Sequence, residues 1–176
     1  MKRAALAMAL LAAGCGGTDE PAQDEAAAAP PTTPSAAPAL PGPGRAPQVA
    51  DFPDLASKDC PTVVEFYLEA LSGREWDKAA LVWNDPVIDG ARLEAVFGAY
   101  KDLRLEWPEP LVEGAAGSSY CNVSGKLTDV GDPAKAMVEG TMLLRRVNDV
   151  PGATPDQLRW TLQSSTFVER LERSQH

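Results

Sequence analysis

Near residue 100 the apolar residues of this 176-residue chain change their spacing. Upstream they recur every third or fourth position, which lines them along one face of a helix. Downstream they recur every second position, which lines them on one face of a strand. A chain that makes this change once buries both patterns by laying helices against one face of an antiparallel sheet. The expected class is therefore α+β, with N-terminal helices packed on a four-stranded antiparallel sheet.

The helical part is punctuated. Val63, Val64, Phe66, Tyr67, Ala70 and Leu71 form an apolar stripe with Glu65 and Glu69 turned to water, Pro61 suits the first turn, and Ser72-Gly73 is a stop. A second helix sets Trp76, Ala79, Ala80 and Trp83 on one face and ends before Pro86. A third starts from Asp89 as a cap and runs through Leu93, Val96, Phe97 and Tyr100. Then Leu103, Leu105 and Trp107 alternate with Arg104 and Glu106, and the segments 118–130, 134–147 and 157–170 read as longer strands. Turn chemistry around Gly131-Asp132-Pro133 and Pro151-Gly152 separates them.

The residues before this domain cannot join its core. Eight of the sixteen prolines lie between Pro21 and Pro47, and residues 16–50 hold no aromatic side chain. Such a segment buries too little apolar surface to offset its ordering entropy, so residues 15–50 are expected to be a disordered tether and residues 51–176 the folded domain. At about 3.1 Å per residue in a polyproline-like state, the tether reaches on the order of 100 Å.

Residues 1–14 carry Lys2 and Arg3, an uncharged run, and then Ala12, Ala13 and Gly14 before Cys15. The run is too short to span a bilayer, which takes about 20 apolar residues, and it reads as a signal to be removed. Ala13-Gly14-Cys15 resembles the lipobox of bacterial lipoproteins, with Ala12 standing where Leu is usual. The resemblance implies that Cys15 becomes the N-terminus, carries the lipid, and anchors the chain on the periplasmic face of the cell envelope. Gly16, where Asp marks inner-membrane retention in Gram-negative lipoproteins, points to the outer membrane. Without residues 1–14 the chain holds 14 Lys and Arg against 25 Asp and Glu, a net charge of −11. That charge repels phosphate backbones, so no nucleic acid partner is expected.

The stretch Phe66–Trp83, with Gly114–Leu127 and Leu143–Trp160, resembles NTF2-like domains of bacterial lipoproteins. That resemblance implies a curved sheet wrapped on helices around a cone-shaped pocket. Tyr67, Trp83, Trp107, Tyr120 and Trp160 are the candidates to line it, with Arg146 or Glu139 as a polar anchor. The fold hosts enzymes and binders alike. The first reading is a binding module for a small apolar ligand or an envelope protein. The alternative is a small hydrolase, dehydratase or isomerase that uses Asp and Arg in the cone, for which Asp85, Asp89 and Arg92 are the nearest set.

The inventory narrows the chemistry further. The single histidine is His176, which argues against a Ser-His-Asp triad, a Cys-His pair and a His-ligated zinc site. No calcium-loop spacing or glycine-rich phosphate loop occurs, so neither a metal nor a cofactor is expected. Asn122-Val123-Ser124 has the form of a glycosylation acceptor, which a strand position and a bacterial signal make a chance match. With Cys15 assigned to lipid, Cys60 and Cys121 remain as an even pair in an oxidising compartment. Cys60 precedes the first helix, and Cys121 shares a strand face with Val123 and Leu127, so a Cys60–Cys121 disulfide is expected if that face meets the helices.

Overall fold

The computed structural model describes residues 45–175. The signal segment, Cys15 and most of the tether lie outside these residues. The described chain begins with two 3-10 turns, Val49–Asp51 and Pro53–Ala56, the first of which starts before the residue-51 boundary read from composition. Gln48 and Asp51 cap the first turn reciprocally, Arg45 pairs with Asp51, and Val49 and Phe52 pack half-buried against the core.

Three helices follow: α1 (Cys60–Ser72), α2 (Trp76–Ala80) and α3 (Gly90–Phe97). The Asp59 carboxylate caps α1 by accepting from Thr62 N–H (3.3 Å) and Oγ1 (2.9 Å). The whole apolar stripe of α1 is buried, together with Cys60. Its C-terminal end turns through Arg74, a non-glycine residue at φ 60°. The Arg74 guanidinium donates to the carbonyls of Gly98 (3.3 Å) and Tyr100 (2.7 Å) beyond α3, contacts that hold this unfavourable φ in place. Trp83 lies beyond the end of α2, in an isolated parallel bridge to Leu162. Tyr100 lies beyond α3 but is buried.

Among the described residues the sheet has five antiparallel strands rather than four: β1 (Leu103–Glu106), β2 (Leu111–Ala115), β3 (Ser118–Asp129), β4 (Val138–Val147) and β5 (Thr161–Ser165). β4 pairs with one edge of the long β3, and β1 and β2 share the other edge. Alternation along β3 sends Cys121, Val123 and Leu127 to the helix side, where all three are buried. After β1 the chain passes close to β3 at Gly125, where an added Cβ would stand 2.6 Å from the Glu106 carbonyl oxygen.

Two further helices close the order: α4 (Pro155–Leu158), capped by Thr154, and α5 (Thr166–Ser174). The strand expected over residues 157–170 is thus only β5, and the segment 134–137 belongs to the loop before β4. Phe167, Val168 and Leu171 are spaced for a helix face and are buried, and the Ser165 hydroxyl caps the new helix at Val168 N–H (3.5 Å).

The Cys60–Cys121 disulfide joins the first turn of α1 to β3 with the Cα atoms 6.5 Å apart, within the range such a bridge spans. It closes a separation of 61 residues. The chain-entropy treatment gives about 4 kcal/mol for a loop of that size. The double substitution Cys60→Ala with Cys121→Ala is expected to lower the unfolding free energy by about 2–5 kcal/mol in urea titrations. Equal midpoints with and without the bridge would contradict this.

Candidate functional site

The interior between helices and sheet is filled. Tyr67 and Trp83 are both buried, with ring centroids 6.4 Å apart in an edge-on arrangement, and Trp83 Nε1 donates to the Tyr67 hydroxyl (3.3 Å). Burial pushes the Tyr67 hydroxyl well above its ordinary pKa despite that hydrogen bond, so it stays protonated. The void beside Tyr67, walled by Leu71, Phe97, Leu105, Leu127 and Met142, measures about 10 Å³. That is room for one water at most.

Phe167 of α5 does the filling. A Cβ at Gly140 on β4 would lie 2.7–2.9 Å from the Phe167 ring, so the ring rests directly on the glycine backbone. α5 is also held to α3. Arg92 Nε and Nη2 donate to the two carboxylate oxygens of Glu172 (2.6 and 3.1 Å), and Gln175 donates to the carbonyls of Ala95 and Val96 (3.1 and 3.4 Å). The Glu172 carboxylate raises the Arg92 pKa.

The six residues expected to line a pocket do not converge. Tyr67 and Trp83 form the interior pair. Trp160 is buried, with its Nε1 donating to the Lys58 carbonyl (2.9 Å). The Arg146 guanidinium lies 5.9 Å from the Trp160 ring and is occupied by the Leu158 carbonyl (3.0 Å) and Asp149 (2.7 Å). Tyr120, half-buried, sits in a cross-strand row between Glu113 and Arg145. Trp107, also half-buried, lines a separate groove. Glu139 is exposed and pairs with Lys126 at 3.6 Å.

Asp85, Asp89 and Arg92 serve local structure. Asp85 Oδ1 accepts from Val87 N–H (2.9 Å), and Asp89 caps α3 by accepting from Arg92 N–H (2.8 Å). Among the described residues the buried acid is one that sequence reasoning did not single out, Asp129 at the end of β3. Burial opposes its ionisation. The N–H groups of Asp102 and Lys101, the Lys135 ammonium and the Gly131 N–H outweigh that and hold its pKa below the ordinary value. The three N–H donors lie at 2.9, 3.0 and 3.2 Å. Lys135 stands 3.6 Å from the carboxylate and 3.9 Å from the centre of the Tyr100 ring. The acid ties a loop and carries no free proton at neutral pH.

The open feature of this end of the domain is a groove of about 730 Å³. Gly125 and Gly140, paired in register, lie along it with Glu106 and Glu139; Trp107 is on its lining, as are Thr166 and Arg170 of α5. The strand pattern read through residue 170 hid the last two residues. The apolar spacing at 167, 168 and 171 is the signal that marks them as helical.

No family model matches the chain, and no curated protein matches it. Among solved structures it is similar to a proposed calcium/calmodulin-dependent protein kinase type II association domain from Thiobacillus denitrificans. That match has a TM-score of 0.43 and 18% identity, over 60% of this chain and 90% of that one. It is also similar to a proposed dehydratase of the NTF2-like family from Streptomyces avermitilis, with a TM-score of 0.41 and 12% identity over 65% and 95% of the two chains.

Gly140→Ala is expected to destabilise the domain by about 1–3 kcal/mol, since the methyl group must displace the Phe167 ring. A urea midpoint equal to that of the parent chain would contradict the contact. Asp129, with its lowered pKa, favours the fold when ionised; that contribution is complete above about pH 4 and is lost as pH falls through the depressed value. The stability gap between the parent chain and Asp129→Asn should therefore be widest near neutrality and close on acidification. A gap that does not change between neutral pH and the acid range would contradict this role.

Proposed function

We propose that the chain is a lipid-anchored interaction module of a bacterial cell envelope. Residues 1–14 are its signal, Cys15 is its lipidated N-terminus, and a proline-rich tether carries an NTF2-like domain clear of the membrane. The order of three helices, antiparallel strands and a disulfide between helix and sheet supports that architecture and an oxidising compartment. The lipobox-like Ala13-Gly14-Cys15 supports the anchor, and Gly16 supports outer-membrane sorting.

One observation supports an interaction module over a carrier or an enzyme working inside the cone: the interior pocket between Tyr67 and Phe167 is about 10 Å³. A small organic ligand takes a cleft of roughly 300–1,000 Å³. The polar groups that could have worked inside a cone are engaged in caps, a loop tie and the Arg92–Glu172 pair. Partners then meet the domain at its surface, in grooves and at strand edges.

Metabolic labelling with tritiated palmitate tests the anchor. The wild-type chain should take up label and sediment with membranes, because several acyl chains, at about 0.8 kcal/mol per buried methylene, make anchoring lasting. Cys15→Ser should abolish the label and move the domain to the soluble fraction. Label or membrane retention that survives the substitution would overturn the lipoprotein reading.

A further inference from the structure

β5 ends at Ser165, opposite Met142, where the chain turns into α5. Among the described residues no strand accompanies β4 from Val138 to Thr141 on that side. Two hydrogen bonds fix which backbone groups face it. The Arg145 carbonyl accepts from Thr161 Oγ1 (3.3 Å), and Thr141 N–H donates to Thr166 Oγ1 (2.7 Å). Odd-numbered residues of β4 therefore direct N–H and C=O away from β3, and two residues further on the same alternation applies to Glu139. The Thr166 hydroxyl satisfies Thr141 and stops there. The Glu139 N–H and C=O open onto the groove beside it.

The groove supplies the rest of a recognition site. Trp107 offers a half-buried ring on its lining. Thr166 and Arg170 stand one helical turn apart on the same lining. Among the described residues Arg170 has no carboxylate within 4 Å, whereas the carboxylate of Glu139 lies beside Lys126. The groove thus offers a strand edge and, across from it, a guanidinium that makes no ion pair among the described residues, with Glu106 as the second carboxylate on the lining.

We propose that this groove binds an extended peptide segment that adds to the β4 edge at Glu139 and places a carboxylate on Arg170. Strand addition supplies main-chain affinity, and the guanidinium selects an acidic or C-terminal carboxylate group. The partner class is a protein with an extended, carboxylate-bearing segment. The inference deepens the interaction-module reading, and its failure would leave Cys15 acylation and the closed interior untouched, so the two fail separately.

The test titrates the ¹⁵N-labelled full chain with acetyl-Thr-Val-Thr-Val bearing a free C-terminal carboxylate, with its C-terminal amide, and with the amide of acetyl-Thr-Val-Thr-Asp. The free acid should shift the Glu139 amide and Arg170 Nε resonances, and the valine amide should bind about tenfold more weakly. Recovery by the aspartate peptide would assign the preference to side-chain carboxylates, and lack of recovery to chain termini. Glu139→Pro should abolish binding of all three peptides with the fold retained, because a proline is tolerated where the N–H faces an open edge. Arg170→Glu, at an exposed helix position, should erase the preference for the acid. The inference is overturned if the free acid leaves the Glu139 resonance unmoved at about 1 mM. It is equally overturned if folded Glu139→Pro binds like the parent chain, or if Arg170→Glu keeps the preference.

Discussion

The packing of Phe167 on Gly140 is the contact from which the rest of the arrangement follows. A glycine at that point of β4 lets the ring lie on the backbone itself, at a distance that any side chain would forbid. With the ring inside, Val168 and Leu171 follow it into the core and α5 lies along the sheet end. That position brings Glu172 to Arg92 and Gln175 to the end of α3. It also ends β5 early, which leaves the β4 edge open beside Arg170. One close approach therefore closes the interior and creates the groove.

The long strand β3 is fastened at two places, to a helix and to a loop. In its first half Cys121 is bonded to Cys60 in the first turn of α1. At its far end the Asp129 carboxylate gathers three N–H groups and Lys135. Each device replaces something a domain of this size is short of. The disulfide removes freedom from the unfolded chain, and the buried carboxylate satisfies loop amides that would otherwise be left without partners. Between them the apolar face of β3 meets the apolar face of α1, and the two stripes that were legible in the sequence become one core.

The parts of the fold that announced themselves were those whose apolar residues repeat with one period. The stripe of α1 and the buried side of β3 lie where their spacing placed them, and Asp89 caps α3 as its residue type suggested. β2 was not legible because all five of its residues are exposed, so no alternation marks it, and Gly114 within it and Gly117 in the turn that follows read as loop. α5 was hidden because Thr166, Phe167 and Val168 are strand formers that continue the run of β5. Only the spacing of Phe167 and Val168 to Leu171 speaks for the helix. The aromatic set was visible as residues but not as a grouping. Which rings meet depends on where β5 and α5 divide, and the divide sends Trp160 to the carbonyl of Lys58 and leaves Trp107 at the groove.

The central claim, that the interior is closed by Phe167, is open to direct measurement by diffraction from crystals held under xenon. Xenon enters dry apolar cavities without needing a specific ligand chemistry. The wild-type domain should show no xenon between Phe97 and Met142, and Phe167→Ala should show it there, which confirms that the gas reaches the site. Xenon in that place in the wild-type protein would mean that the interior is a cavity after all, and that the domain carries its ligand inside.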